Sequence, residues 1–347
     1  MHAASPIEPN AAMVAPRYLL SVVIPAFNEA AVLPSLHRRL ASVLGDLRVP
    51  YEIIFVDDGS TDATADLLKQ LRLNDAGIGL VKLSRNFGKE LALSAGLQCA
   101  GGDCVVIIDA DLQDPPELIP AMLTAWLDGA DVVNMRRRQR AGETWFKKFS
   151  AHAFYRLLNR LSDVPIPEDV GDFRLLSRRA LDALNTLPER NRYMKGLFAW
   201  VGFCQVTLLY DRDPRAAGSG KQNYLKLWSL AAEGITSFSV TPLRIASLTG
   251  LLSAGAAFVM TLFYIVKTFV FGDVVQGFPT LIVAVLLLGG LQLLGIGILG
   301  EYLGRMFMET KRRPLYLIEE QLPSRATRGQ HFPAAVQSQS SSMRSMQ

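Results

Sequence analysis

Three carboxylates, Asp109, Asp111 and Asp114, follow the apolar run Val105–Ile108 in the stretch VVIIDADLQDPPE (105–117). Two Val and two Ile in succession read as a strand buried on both faces. Such a strand tolerates no unpaired charge, so the chain must surface at Asp109. Only Ala110 separates Asp109 from Asp111, and their oxygens can converge on one point at the strand's C-terminal edge. Oxygen donors so placed suit Mg²⁺ or Mn²⁺, a hard cation that keeps positions open for phosphate oxygens. The same acids could instead make a solvated turn and cap a helix after Pro115 and Pro116. The neighbouring elements decide between the two.

A first strand over 18–24 (YLLSVVI) ends at Pro25 and hands over to Asn28 and Glu29, which open a helix running to Leu44. A second, 52–56 (EIIFV), ends in Asp57, Asp58 and Gly59, with Ser60 or Thr61 capping a helix over 62–73. Strands follow at 78–83, 104–108, 131–135 and 205–210, the last in the chain, with helices between and a short strand or helix from Phe173. Asp62, Asp114 and Glu117 fall at helix starts, where a carboxylate favours the dipole. Regular strand–helix alternation implies right-handed crossovers and a Rossmann-like, mostly parallel α/β sheet. Ligands of such sheets sit beyond the carboxyl ends of the strands. Three of those ends carry acids, which favours the cation site over the plain turn. No GxGxxG follows the first strand, so a dinucleotide-binding domain is disfavoured.

The chain has 347 residues, half of them hydrophobic, and a formal charge of +4. The apolar excess lies after Leu243. Ile245–Val266 and Leu281–Leu299 carry no charge and approach the ~20 residues that span a bilayer. Arg244 precedes the first, Arg305, Lys311, Arg312 and Arg313 follow the second, and the connection FGDVVQGFP has no basic residue. Both flanks are therefore expected in the cytoplasm. Gly289, Gly290, Gly295, Gly297 and Gly300 suggest close packing of the second span, within the chain or between protomers. Next to spans, the basic clusters read as lipid-headgroup contacts rather than nucleic-acid contacts. Residues 144–161 make either a core-facing helix or an in-plane interfacial one. Cys99, Cys104 and Cys204 form no CxxC, so neither disulfide nor zinc is expected. No signal peptide is visible. The expected organisation is a disordered arm (1–17), a cytoplasmic catalytic domain (18–221), an amphipathic juxtamembrane helix (222–242), transmembrane helices (243–271 and 279–303), and a basic tail (304–347) disordered at its end.

Five motifs in order, VVIPAFNE (22–29), VDDGSTDAT (56–64), RNFGKELAL (85–93), DADLQDPPE (109–117) and GDFRLLSR (171–178), carry a resemblance. From about residue 18 to 320 the chain resembles the family 2 glycosyltransferases of GT-A fold. It is most similar to polyprenyl-phosphate sugar transferases of the dolichol-phosphate-mannose-synthase and bactoprenol-glucosyltransferase type. RAAGSGK (215–221) looks like that family's mobile basic loop, with Gly220 where Ser is usual; Asn134 and Met135 also depart from the common pattern.

The resemblance implies a nucleotide-sugar donor, UDP-glucose first, bound by Pro25, Phe27, Glu29, Asp57, Asp58, Lys89, Asp109 and Gln113. Turn and packing roles for Pro25 and Phe27, and a solvated Lys89, are the plainer alternatives. It implies Mg²⁺ or Mn²⁺ on Asp109, Asp111 and Gln113, and an undecaprenyl (polyprenyl) phosphate acceptor met by Arg137, Arg140, Arg174, Arg215 and Lys221. Asp111 and Asp172 are the catalytic candidates. Asp172 would be a base, or orient a sugar hydroxyl, or pair with Arg174. Single displacement implies inversion. A homo-tetramer in the inner membrane, with flippase and downstream transferase partners, fits the same branch. A processive polysaccharide synthase should carry QxxRW and more spans, which are lacking. A non-catalytic nucleotide-binding scaffold remains the competing class, along with GDP-mannose, UDP-GlcNAc, UDP-galactose or aminoarabinose donors.

Overall fold

The computed structural model describes residues 18–138, 170–190, 192, 194–211, 241–271 and 277–325. Strands β1 (Leu20–Ala26), β2 (Tyr51–Asp57), β3 (Ile78–Leu83) and β4 (Cys104–Ile107) pair in parallel. Helices α1 (Leu33–Leu47), α2 (Thr64–Asn74) and α3 (Lys89–Cys99) make the crossovers. A 3₁₀ turn at Pro116–Leu118 leads into α4 (Ile119–Leu127) and β5 (Val132–Arg137). Next come β6 (Val170–Ser177), α5 (Arg178–Thr186), α6 (Met194–Trp200) and β7 (Gln205–Tyr210). Two long helices, α7 (Thr241–Phe271) and α8 (Phe278–Thr310), precede a final strand, β8 (Ile318–Leu322). The eight strands form one sheet, β7-β5-β6-β4-β1-β2-β3-β8.

The core lies on both faces of this sheet. Leu33, Leu36, Leu40 and Leu44 form the buried stripe of α1 on one face. On the other, Ala92, Leu93, Ala95 and Leu97 of α3 meet Val23, Ile54 and Val56. Alternate residues of β1 and β2 thus bury in opposite layers, as the period of a strand requires. The expected α/β class with a mostly parallel sheet holds.

Several details differ from expectation. β1 continues through Pro25 to Ala26. Its last partner in β4 is opposite Val23, so the missing Pro25 N–H falls beyond the β1–β4 ladder and no hydrogen bond is lost. α1 starts at Leu33, because Asn28 takes a left-handed backbone, φ 57°, and residues 28–32 form a turn. Neither Ser60 nor Thr61 caps α2. Ser60 Oγ accepts from Asn28 N and Thr61 N donates to Asn28 Oδ1, which ties the two strand-end loops together. The segment from Phe173 belongs to a strand, and β6 runs antiparallel to both β4 and β5.

β7 is not the last strand. β8, within the expected basic tail, pairs antiparallel with β3. Lys82–Glu319 (2.9 Å) and Lys69–Glu320 (2.7 Å) ion pairs flank it, and Arg72 Nη2 donates to Pro323 O at 3.0 Å. The tail is therefore ordered at least to Arg325.

α7 and α8 leave Leu251, Phe258, Phe269, Leu293 and Leu303 exposed. Leu287–Thr310 is the described stretch long and apolar enough to cross a membrane; Ile245–Met260 is apolar but shorter. Of the two expected spans, one meets that length among the described residues. A Cβ added at Gly289, Gly290, Gly295, Gly297 or Gly300 would meet nothing within 4 Å among the described residues. The arm 1–17, the segment 144–161, most of the loop 211–223, most of the helix 222–242 and residues 326–347 lie outside the described residues.

Candidate active site

The register of β4 on β6 assembles the site. Ile107 faces Arg174 across this antiparallel pair, so two residues further along β4, and two back along β6, Asp109 comes opposite Asp172. Lys89, the first residue of α3, joins them. Its Nζ lies 2.6 Å from Asp109 Oδ1, 2.8 Å from Asp109 Oδ2 and 2.6 Å from Asp172 Oδ2. Two acids separated by 63 residues of chain thus share one ammonium at the carboxyl edge of the sheet.

Backbone geometry presents Lys89. Both oxygens of buried Asp58 are engaged, Oδ1 by Phe87 N (2.7 Å) and Oδ2 by Gly88 N (2.9 Å). This clamp fixes the loop into α3. Burial pushes the Asp58 pKa up, against the pull of those two N–H donors. Gly59, at φ 66°, lies so near the chain of Arg85 that a Cβ would also come within 2.6 Å of Asn86 N. On β4's side, Leu112 takes φ 61° and buries its side chain, bending the loop so that Gln113 N donates to Asp111 Oδ1 at 3.1 Å. Asp114 is buried and accepts from Tyr210 OH at 2.7 Å.

The electrostatics centre on Asp172. Burial alone would raise its pKa, but Lys89 and Lys195 more than offset this and hold it near about 2. At Glu90 burial and the Asp172 charge outweigh the pull of Lys89 and Lys195 and push its pKa up to about 7. Burial lowers Lys195, with Asp172 and Glu90 opposing. Arg174 is buried, its guanidinium 3.7 Å from the centre of the Phe198 ring and its Nη2 2.7 Å from Gly171 O.

Among the described residues no three His, Cys, Asp or Glu side chains gather closely enough to enclose a cation. Asp109, Asp111 and the Gln113 amide still offer only hard oxygen donors on one turn. That set fits a Mg²⁺ or Mn²⁺ that takes its other oxygens from a ligand and water. The buried Asp172 Oδ1 makes no hydrogen bond and remains an open acceptor beside it.

The model of "Glycosyl transferase family 2" matches residues 21–184, which contain Lys89, the 109–113 turn and Asp172 but neither α6 nor β7. An uncharacterised glycosyltransferase of Synechocystis sp. is 49% identical over 87% of this chain and 95% of its own length. A prophage bactoprenol glucosyl transferase homolog of Escherichia coli K12 is 45% identical over 86% of this chain and 98% of its own. The chain belongs to glycosyl transferase family 2. Among solved structures, mannosyl-3-phosphoglycerate synthase from Rubrobacter xylanophilus is similar over 62% of this chain and 71% of its own, with 20% identity and a TM-score of 0.45.

In this family 2 glycosyltransferase the expected residues separate into three groups. Lys89, Asp109 and Asp172 meet, with Asp111 and Gln113 on the adjoining turn. Lys89 is exposed at the helix start, yet its ammonium is paired, and Asp172 pairs with it rather than with Arg174. Asp114 is a partner of Tyr210 and not a helix start. Pro25 lies buried in β1 and Phe27 is exposed at its end. Glu29 N donates to Thr64 Oγ1 at 2.9 Å. Asp57 accepts from Ser60 N at 3.1 Å through Oδ1, and its buried Oδ2 makes no hydrogen bond. Each Asp58 oxygen already accepts one backbone N–H, so a ligand contact would have to use a remaining lone pair of this buried carboxylate. Arg137 hydrogen-bonds Tyr210. Arg140, Arg215 and Lys221 lie outside the described residues. Sequence reasoning missed Glu90 and Lys195. The available signal for Lys195 was a single charge inside the seven-residue apolar helix MKGLFAW.

Proposed function

We propose that this glycosyltransferase moves glucose from UDP-glucose to undecaprenyl phosphate with inversion at the anomeric carbon. The reaction takes place at the cytoplasmic face of a membrane crossed by α7 and α8. The observation that carries the reading is Asp172 held opposite Asp109 through Lys89, beside the oxygen-donor turn 109–113. The names of the bactoprenol glucosyl transferase relatives support the sugar and the lipid acceptor. The exposed apolar side chains of α7 and α8 support the membrane.

Little covalent work falls to the protein. A polyprenyl phosphate has a second pKa near ~6 and is largely dianionic at neutral pH, hence already nucleophilic. A divalent cation on Asp109, Asp111 and Gln113 would supply Lewis-acid stabilisation of the leaving diphosphate. Lys89 holds Asp109 and Asp172 at fixed separation, so that neither carboxylate repels the other during approach. Asp172, deprotonated through the neutral range, can orient a sugar hydroxyl through Oδ1; as a base toward a monoanionic acceptor it is weak, its pKa of about 2 lying well below that of the phosphate. The positive charge of Arg137 offsets part of the negative charge of two converging phosphates, while Lys89 neutralises the carboxylates beside them.

Turnover of radiolabelled UDP-glucose with undecaprenyl phosphate should give a chloroform-soluble product. Asp111→Asn should lower that turnover by about 100-fold or more, since one charged donor to the cation is lost. Full activity in the variant would overturn the cation assignment. Donor binding without turnover in the wild type would favour the scaffold reading, and a donor panel would reveal a different sugar.

A further inference from the structure

Among the described residues, Lys89, Arg174 and Lys195 act on the charge of Asp172, and two of them are already committed. Lys89 is shared between Asp109 and Asp172. Arg174 is buried under Phe198 with its Nη2 on Gly171 O. Lys195 makes no hydrogen bond or ion pair among the described residues, yet lies near enough to Asp172 and Glu90 to feel both charges.

Its position is fixed by its neighbours on α6. Met194 N donates to Glu90 and Met194 Sδ meets Ser94 Oγ at 3.8 Å, which holds the start of α6 on α3. Phe198, three residues beyond Lys195, lies under Arg174 of β6. The ammonium is thus carried on the Asp172 side of the site, with Lys89 standing between Asp172 and the 109–113 turn. A second observation concerns the direction of approach. Just ahead of α6, Arg190 N donates to Glu309 Oε1 at 2.8 Å, at the last turn of α8. A membrane-borne substrate reaches the sheet edge from that side, whereas the donor diphosphate belongs with the oxygen-donor turn.

We propose that Lys195 binds the terminal phosphate of the lipid acceptor and holds it beside Asp172. The proposal rests on the lipid-phosphate reading above and adds the residue that recognises the anion. A phosphate monoester carrying close to two negative charges needs a cation not already spent on an ion pair, and half-buried Lys195 has none among the described residues.

The test compares wild type, Lys195→Met and Lys195→Arg in detergent, varying undecaprenyl phosphate and UDP-glucose separately. Lys195→Met should raise the KM for undecaprenyl phosphate by about tenfold or more, and Lys195→Arg should recover most of it. The KM for UDP-glucose and the affinity for UDP with Mn²⁺ should stay within about twofold, since these sites share no contact. A shift in donor constants in place of acceptor constants, or no shift in either, overturns the assignment. A measurement on the unaltered protein guards against a variant that fails to fold. Acetylation of Lys195, read by mass spectrometry, should slow with undecaprenyl phosphate and not with undecaprenol; protection by UDP and Mn²⁺ alone would refute the site. Wild type that consumes UDP-glucose yet ignores undecaprenyl phosphate would instead defeat the acceptor reading itself.

Discussion

Glu90 is a buried carboxyl beside a more acidic one, and the pair sets the pH response of the site. Lys89 and Lys195 keep Asp172 ionised, so the next charge in the same corner falls on Glu90, whose burial resists it. The unfolded chain ionises Glu90 near 4.5, the native chain only near about 7. Between those values the native state binds the extra proton, so stability declines as pH rises from 4.5 to 7 and then levels. The decline is on the order of 3 kcal/mol if Glu90 acts alone. Glu90→Gln should remove that slope and raise the thermal midpoint at pH 8, measured on the detergent-solubilised protein from pH 5 to 8. An unchanged slope would mean that another group titrates. At this scale the sequence revealed the acids better than their partners. Asp109, Asp111 and Asp172 could be named from spacing and resemblance. That Lys89 bridges two of them depends on the β4–β6 register, a pairing of distant segments that no local pattern encodes.

Helix α3 carries the site from beneath. Its Gly96 lies against β1 and β2 so closely that a Cβ would clash with Val23 and come within 2.8 Å of Val56 Cγ2. Gly96→Val should therefore destabilise the domain by about 1–3 kcal/mol through overpacking. Because Lys89 begins the same helix, kcat should fall as well, even though Gly96 touches no ligand. Melting and steady-state kinetics on one preparation would check both. Element identity was largely readable, since strands 52–56, 78–83, 104–108 and 205–210 stand within two residues of those found. Edges were less so where side chains serve a neighbouring loop. Ser60 and Thr61 have the chemistry of helix caps, but Asn28 from another strand end claims them. The direction of β6 was also hidden, because a buried apolar run has the same composition in a parallel or an antiparallel setting.

Across the whole molecule, the sheet and the long helices are bound together at the tail. β8 closes the β3 edge, and Tyr316 OH, just before it, donates to Gln98 of α3. A chain ending after Arg313 would keep both helices and every site residue, yet leave β3 as an open edge, prone to pairing with another molecule. Its thermal midpoint should drop by roughly 5–10 °C and size-exclusion profiles should show aggregates. A monodisperse truncation with unchanged melting would show that the strand is dispensable. The segment was legible only as a basic tail, and a five-residue strand whose partner lies far upstream leaves no local pattern to reveal it.

The span between those partners has a temporal meaning. Lys82 and Glu319 are 237 residues apart, and at ~5–20 residues per second the ribosome needs on the order of 10–50 s to make the second after the first. During that interval β3 has no outer neighbour, and both hydrophobic helices must emerge before one can arrive. The sheet is therefore completed only after both apolar helices have been synthesised. Chains arrested before that point keep β3 as an unpaired edge, a template onto which a second chain can add.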